Sequence, residues 1–161
     1  TLLKSAANRL WWLGLYIKKP TDYLKVLMPC KGVLTKRIPT KSEWLDIKFG
    51  FKLAKVIAGS DIGQTIVVKN KSVVAIEAIE GTDKAIKRAG ELCGPGAIIV
   101  KAARPHQDMR FDVPLVGKAT IQSIIEVNGA VLALEQKKTY LIDRPEIIKL
   151  ADENNISVVI I

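Results

Sequence analysis

The 161-residue sequence predicts an α/β fold: a mixed β-sheet with covering helices, preceded by an N-terminal helical linker region. Three observations predict it. From residue 65 onward, short apolar runs alternate with helix-like periodicity in the order β, β, α, β, loop, α, β, β, α, β. Several of those runs, 97–100 and 156–161 among them, are apolar at successive positions, so they need cover on both faces. The composition, 48% hydrophobic and 25% charged, is that of a globular chain long enough for one sizeable core.

Taken in order, residues 1–19 read as a helix and a short extended piece. The run Leu10 to Ile17, with Trp11, Trp12 and Tyr16, lies between Lys4, Arg9, Lys18 and Lys19. Such a run suits either a membrane headgroup region or a face packed against another domain or subunit. Pro20 breaks the pattern, and Thr21 or Asp22 caps a short helix that ends at Pro29. Residues 1–30 are therefore read as linker, and 31–161 as the α/β domain. The stretch from Cys30 to Ile38 is basic and irregular; Lys31, Lys36 and Arg37 are either solvated or an arm that reaches phosphate.

Thr40 and Glu43 stand in capping-box spacing and open a helix whose Trp44, Ile47, Phe51, Ala54 and Ala58 share one face before Gly59 stops it. A strand 65–69, a tight turn at Asn70-Lys71 without the usual glycine, and a strand 72–79 follow. Glu77, inside that apolar second strand, must find a partner, such as a lysine or arginine inside the fold, or ionise with difficulty. The segment Glu80-Gly81-Thr82-Asp83 leads into a helix 84–92 with Thr82 as its cap, a natural seat for phosphate as well as an ordinary capped start. Beyond the charged loop that follows strand 97–100, Thr120 caps a helix to Asn128. Strands 130–134 and 139–142 come next, then a helix opened by Asp143 and Glu146 in capping-box spacing, and a last strand 156–161.

The loop after Val100 holds most of the chemistry. Within Lys101 to Gly117 lie three cations, Gln107, Asp108, Asp112, the only histidine and two prolines. Pro105 and Pro114 exclude a regular element and stiffen the loop. Arg104 and Arg110 can clamp phosphate oxygens, and Asp108 and Asp112 can hold a hard cation or act on water. The same four side chains could equally pair with one another.

Composition excludes several classes. Two distant cysteines give neither a disulfide framework nor a thiolate zinc site, and one histidine disfavours His-rich metal sites. There is no dinucleotide or P-loop motif, no signal-peptide pattern and no apolar run of membrane-spanning length. The net charge of +9 lies entirely in residues 1–60, with 12 Lys/Arg against 3 Asp/Glu, while residues 61–161 hold 13 of each. That asymmetry favours an anionic partner. The sequence starts at Thr1 without methionine and is read as the C-terminal piece of a longer protein.

Asp61-Ile62-Gly63-Gln64, Ala75 to Asp83 (AIEAIEGTD), and Gln107 to Pro114 (QDMRFDVP) with Gly117 together resemble the C-terminal domain of the bacterial UDP-2,3-diacylglucosamine pyrophosphatases of the lipid A pathway, in the form unrelated to metallophosphoesterases. The match runs in order from about Gly32 to Ile161. The resemblance implies magnesium-aided (or manganese-aided) hydrolysis of a UDP-sugar lipid to UMP and 2,3-diacylglucosamine 1-phosphate, by an enzyme that is cytoplasmic, either free or peripheral on the inner membrane. It implies Asp112 and then Asp108 as catalytic carboxylates. Substrate contacts would come from Lys101, Arg104, Gln107, Arg110, Gly81 and Thr82, and metal ligands from Asp112, Asp108, Glu80 and Asp83. Asp61 and Gln64 match without an assigned role. The family's N-terminal Rossmann-like domain is absent, so the expected partners are that domain, the substrate, a membrane surface and a second copy of the chain, with no nucleic acid. The basic first third leaves one alternative, a non-enzymatic module that binds nucleic acid or an anionic surface.

Overall fold

A computed structural model describes residues 2–161; the side chains of Leu2 and of Lys4, one of the flanking cations above, lie outside the described residues, as does Thr1. The chain opens with α1 (Leu2–Trp12), α2 (Pro20–Tyr23) and a single 3-10 turn (Lys25–Leu27). There follow β1 (Gly32–Val33), α3 (Lys41–Gly59), β2 (Thr65–Lys69), β3 (Ser72–Ile76), α4 (Thr82–Cys93) and β4 (Ile98–Lys101). The last third comprises β5 (Leu115–Val116), α5 (Lys118–Glu126), β6 (Val131–Leu134), β7 (Tyr140–Leu141), α6 (Arg144–Glu153) and β8 (Ser157–Ile160).

Six strands form one mixed sheet in the order β1-β8-β6-β4-β2-β3. β4, β6 and β8 are parallel, joined by α5 and α6 as crossovers, while β1, β2 and β3 pair antiparallel to their neighbours. The continuous apolar runs are explained by cover on both sides. Ile99, Leu132, Leu134, Val158 and Ile160 pack with Ile86 of α4, Ile121 and Ile124 of α5, and Ile147 of α6. The alternate residues Ile98, Val100, Val131, Ala133 and Val159 pack with Ile47, Ala54 and Ile57 of α3. Each strand residue thus chooses a layer by the period of two that a pleated backbone imposes.

Local signals held where their partners were close in sequence. The capping box at Thr40 forms both of its bonds: Glu43 N donates to Thr40 Oγ1 at 3.2 Å, and Thr40 N donates to Glu43 Oε2 at 2.7 Å. The Asn70-Lys71 turn does without glycine although both residues take left-handed φ, 51° and 57°. Asp46 of α3, buried beneath the turn, accepts from both backbone amides at 2.8 and 2.7 Å, and so offsets the backbone cost of about 1–2 kcal/mol per such residue.

Other expectations are corrected. The residue capping α4 is Gly81, with φ 85°; Thr82 is already helical and its hydroxyl points elsewhere. α5 starts at Lys118 behind Gly117, and Thr120 Oγ1 donates to Asp83 Oδ1 at 3.1 Å instead of capping its own helix. The box at Asp143 does not form: Asp143 takes φ 52°, and Glu146 is drawn to Lys118. The strand expected through residue 79 ends at Ile76, and Ile79 is fully exposed. β1 lies in the stretch read as an irregular arm, where Arg37 donates to Ser157 Oγ and Ala130 O and pairs with Glu43, so it is a structural cation and not a free one. β5 falls inside the charged loop and pairs in parallel with β7 as a separate two-stranded sheet.

Candidate active site

The carboxyl end of β4, the turn before β2, the residues just past β3 and the charged loop line a polar cleft of about 280 Å³, and Thr82 at the start of α4 bonds to its Lys101. Open α/β sheets commonly bind ligands at the carboxyl ends of their parallel strands. Here the antiparallel register places Thr65 directly opposite Lys101, so both side chains stand on one face. Gly63 makes the approach possible: a Cβ there would lie 2.0 Å from the Glu77 carbonyl oxygen. Gln64, Glu77, Lys101, Arg104 and Asp112 line the cleft.

Lys101 is 8% exposed. Its ammonium donates to Thr82 Oγ1 at 2.8 Å and more weakly to Thr65 Oγ1 at 3.4 Å. Thr82 Oγ1 in turn donates to Glu77 Oε1 at 2.8 Å, and Glu77 Oε2 accepts from the Gln64 amide at 3.2 Å. Glu77 therefore does find partners inside the fold, reaching the buried cation through a hydroxyl. Burial pushes the Lys101 ammonium below its ordinary pKa, while the charges of Glu77, Asp83 and Asp112 oppose that shift. Gln64 Oε1 is buried at this wall without a hydrogen-bond partner.

The loop is anchored before it becomes charged. Ala102 N donates to Gln64 O at 2.9 Å. Glu135, just past β6, accepts from Ala103 N at 2.7 Å and from Lys55 of α3, which also donates to Ala103 O at 2.8 Å. Arg104 then emerges between two carboxylates, 2.6 Å from Asp61 Oδ1 and 3.2 Å from Asp112 Oδ2. The shorter contact is an ion pair off the N–H direction, since Arg104 Nε has no in-line acceptor. Gln107 accepts from the Arg104 amide at 2.9 Å and donates to Asp112 Oδ2 at 2.8 Å. With Arg104 and Asp112 side chains 39% and 53% exposed, such pairs are worth at most about 1 kcal/mol. An incoming phosphate can exchange with them readily.

Of the residues singled out from sequence, Lys101, Arg104, Gln107, Asp112 and Thr82 come together here, and Asp61 joins them. The other cations and carboxylates are engaged elsewhere. Arg110 pairs with Asp108 in the same turn, at 2.9 and 2.7 Å, and stacks on the Phe111 ring. Glu80 pairs with Arg88 at 2.8 Å, which holds its carboxyl below the ordinary range. Asp83 accepts from Thr120. Among the described residues no three His, Cys, Asp or Glu side chains gather as a ready-made metal centre. Asp112 and Asp61, the two carboxylates on Arg104, still fit an ion that arrives with substrate, because magnesium commonly takes one or two carboxylates and leaves the rest to phosphate and water. Glu135 and Lys55 were missed; nothing local distinguishes a glutamate after a strand or a lysine on a helix flank.

A larger recess of about 720 Å³ adjoins the cleft through Arg104 and Asp112 and is walled by Leu3, Ala58, Pro105 and Phe111. Among the described residues no helix is long and apolar enough to cross a membrane.

A family model described as the LpxI C-terminal domain matches residues 30–159. The UDP-2,3-diacylglucosamine pyrophosphatase LpxI of Caulobacter vibrioides is 34% identical over 133 residues, which are 76% of this chain and 47% of that protein. The chain thus spans about half the length of the curated relative it matches.

Proposed function

The chain belongs to the LpxI C-terminal domain family, and from that premise we propose that it carries the catalytic half of a hydrolase cleaving the phosphoanhydride of UDP-2,3-diacylglucosamine to UMP and 2,3-diacylglucosamine 1-phosphate. The observation that supports this most is the placement of Asp112, Arg104 and Lys101 on the walls of one polar cleft at the end of β4.

Hydrolysis of a pyrophosphate needs positive charge on the phosphate oxygens and a group that prepares water for attack. Arg104 offers its fork to two oxygens at once, trading Asp61 and Asp112 for phosphate. Lys101 adds a compact charge from the cleft wall. Asp112, steadied by Gln107, either takes a proton from water or supplies an oxygen to a divalent cation. Asp112 and Asp61 would hold magnesium or manganese, and such an ion, when bound, neutralises phosphate charge and orients the anhydride. The recess beside the cleft, polar where Asp61, Arg104 and Asp112 border it and apolar at Leu3, Ala58, Pro105 and Phe111, suits an acyl chain on its apolar side.

The test is UMP release from UDP-2,3-diacylglucosamine with magnesium by the two-domain polypeptide, beside its Asp112→Asn variant. Loss of turnover by at least about a hundredfold is expected if the carboxylate acts on water or metal. A folded variant as active as the parent would remove Asp112 from the mechanism.

Exposed Trp11 and Trp12 end α1, and exposed Leu13 and Tyr16 follow it, beside Arg9, Lys18 and Lys19. We assign this surface to the half of the family protein that precedes the domain. Sedimentation of the chain with anionic vesicles, at a level unchanged by adding that half, would reassign it to a membrane.

A further inference from the structure

The Glu77–Thr82–Lys101 chain of hydrogen bonds is more than internal neutralisation. Lys101 is 8% exposed at the end of a central strand, where an ammonium is costly to bury and needs partners that hold it. Lys101 lines the same cleft as Asp112 and Arg104 and, among the described residues, has no direct carboxylate partner, since Glu77 reaches it through the Thr82 hydroxyl. The single proton of that hydroxyl is given to Glu77, while its oxygen accepts from Lys101 and lies 3.4 Å from Thr65 Oγ1. It therefore has no proton to offer a phosphate.

Resting on the hydrolase function above, we propose that Glu77 and Thr82 are positioning residues, which hold the Lys101 ammonium at the cleft wall so that it meets the charge developing on the departing phosphate. Thr82 then acts through Lys101, in place of the direct substrate contact its motif implied. The loop geometry is built for this. Gly81, with φ 85°, turns the chain into α4 so that Thr82 rather than a capping residue faces Lys101. Gly63, which no Cβ could replace, brings the Gln64 amide onto Glu77 Oε2 and fixes the far end of the relay. Three separate segments meet to orient one ammonium, a larger investment than a solvated lysine needs.

The experiment measures kcat and KM for UMP release by the two-domain polypeptide, with Thr82→Val, Thr82→Ser, Glu77→Gln and the Val/Gln double variant. Thr82→Val keeps shape and removes the hydroxyl. It should lower kcat about tenfold or more with KM within about threefold, since the group lost acts only in the transition state. Thr82→Ser should stay within about threefold of the parent. Because the two residues act as one unit, the double variant should lose little beyond the worse single one. Carbon-13 labelling of lysine side chains adds a substrate-free readout: the Lys101 Cε signal should move in Thr82→Val and not in Thr82→Ser. A rise confined to KM would make Thr82 a substrate contact and overturn the relay. So would a Thr82→Val variant with unchanged kcat, or a serine that fails to rescue. A parent that releases no UMP overturns the hydrolase function and the relay together, whereas an active parent with an indifferent Thr82→Val overturns the relay alone.

Discussion

Glu135 shows how far single residues reach in this chain. Its carboxylate takes the Ala103 amide and the Lys55 ammonium, joining β6, α3 and the root of the charged loop across 80 residues of sequence. Ala103 is fully buried, so Glu135→Ala would leave its amide unpartnered and Lys55 half-compensated. The expected loss is about 2 kcal/mol, a fall in Tm of roughly 4–8 °C for a chain of this size. Thermal unfolding checks it, and a shift under about 1 °C would mean the loop root is held by other groups. Glu77 was different: a carboxylate amid Val-Val-Ala-Ile announces in the sequence that it needs partners. What the sequence could not say is which ones, because Thr82 and Gln64 reach it directly, and Lys101 through Thr82, only where β2, β3, β4 and α4 are packed together.

At the level of elements, the start of α3 is legible because its chemistry closes within three residues. The same spacing at Asp143 fails because Glu146 has a competing cation, Lys118, brought from α5. Spacing proposes a cap and tertiary neighbours decide it. The box that does form has a pH signature. Burial works against the Glu43 carboxylate, but hydrogen bonds from Arg37 and from the Thr40 amide outweigh it, and its folded-state pKa lies below the ordinary 4.5. A depressed carboxylate pKa contributes stability that is present above the unfolded value and lost as pH falls through the folded one. The stability gap between parent and Glu43→Gln should therefore be widest at neutral pH and shrink below pH 4.5. Urea unfolding from pH 7 to pH 3 measures it, and a gap constant with pH would show that only the neutral hydrogen bonds matter. Two-residue strands such as β1 and β5 had no such local signal; they exist because β8 and β7 offer edges, and edges are set by the whole sheet.

For the whole molecule, helix-covered mixed sheet followed from the run of apolar strands, but strand order did not: β1 finds β8 across more than a hundred residues. The excess of cations in residues 1–60 was legible as a field seeking an anion, yet some of it is used internally, Lys55 of α3 on Glu135 and Arg37 on Glu43. The cleft itself points to the scale at which function is complete. It opens to solvent, its arginine is 39% exposed, and the apolar surface at the end of α1 is uncovered. A substrate with a nucleotide, a pyrophosphate and two acyl chains would be gripped here on one side only. Orientation of such a substrate is worth several kcal/mol of the barrier, and each 1.4 kcal/mol is tenfold in rate, so a half-enclosed site should be slow by about a hundredfold or more. On the proposed hydrolase function, residues 1–161 alone should fold cooperatively yet turn over UDP-2,3-diacylglucosamine at about 1% or less of the rate of the two-domain polypeptide, and the half of the family protein that precedes this domain, added in trans, should restore part of the difference. Equal turnover by the chain alone would mean that the cleft and its recess bind the whole substrate unaided, and that the exposed aromatic surface serves something other than the site.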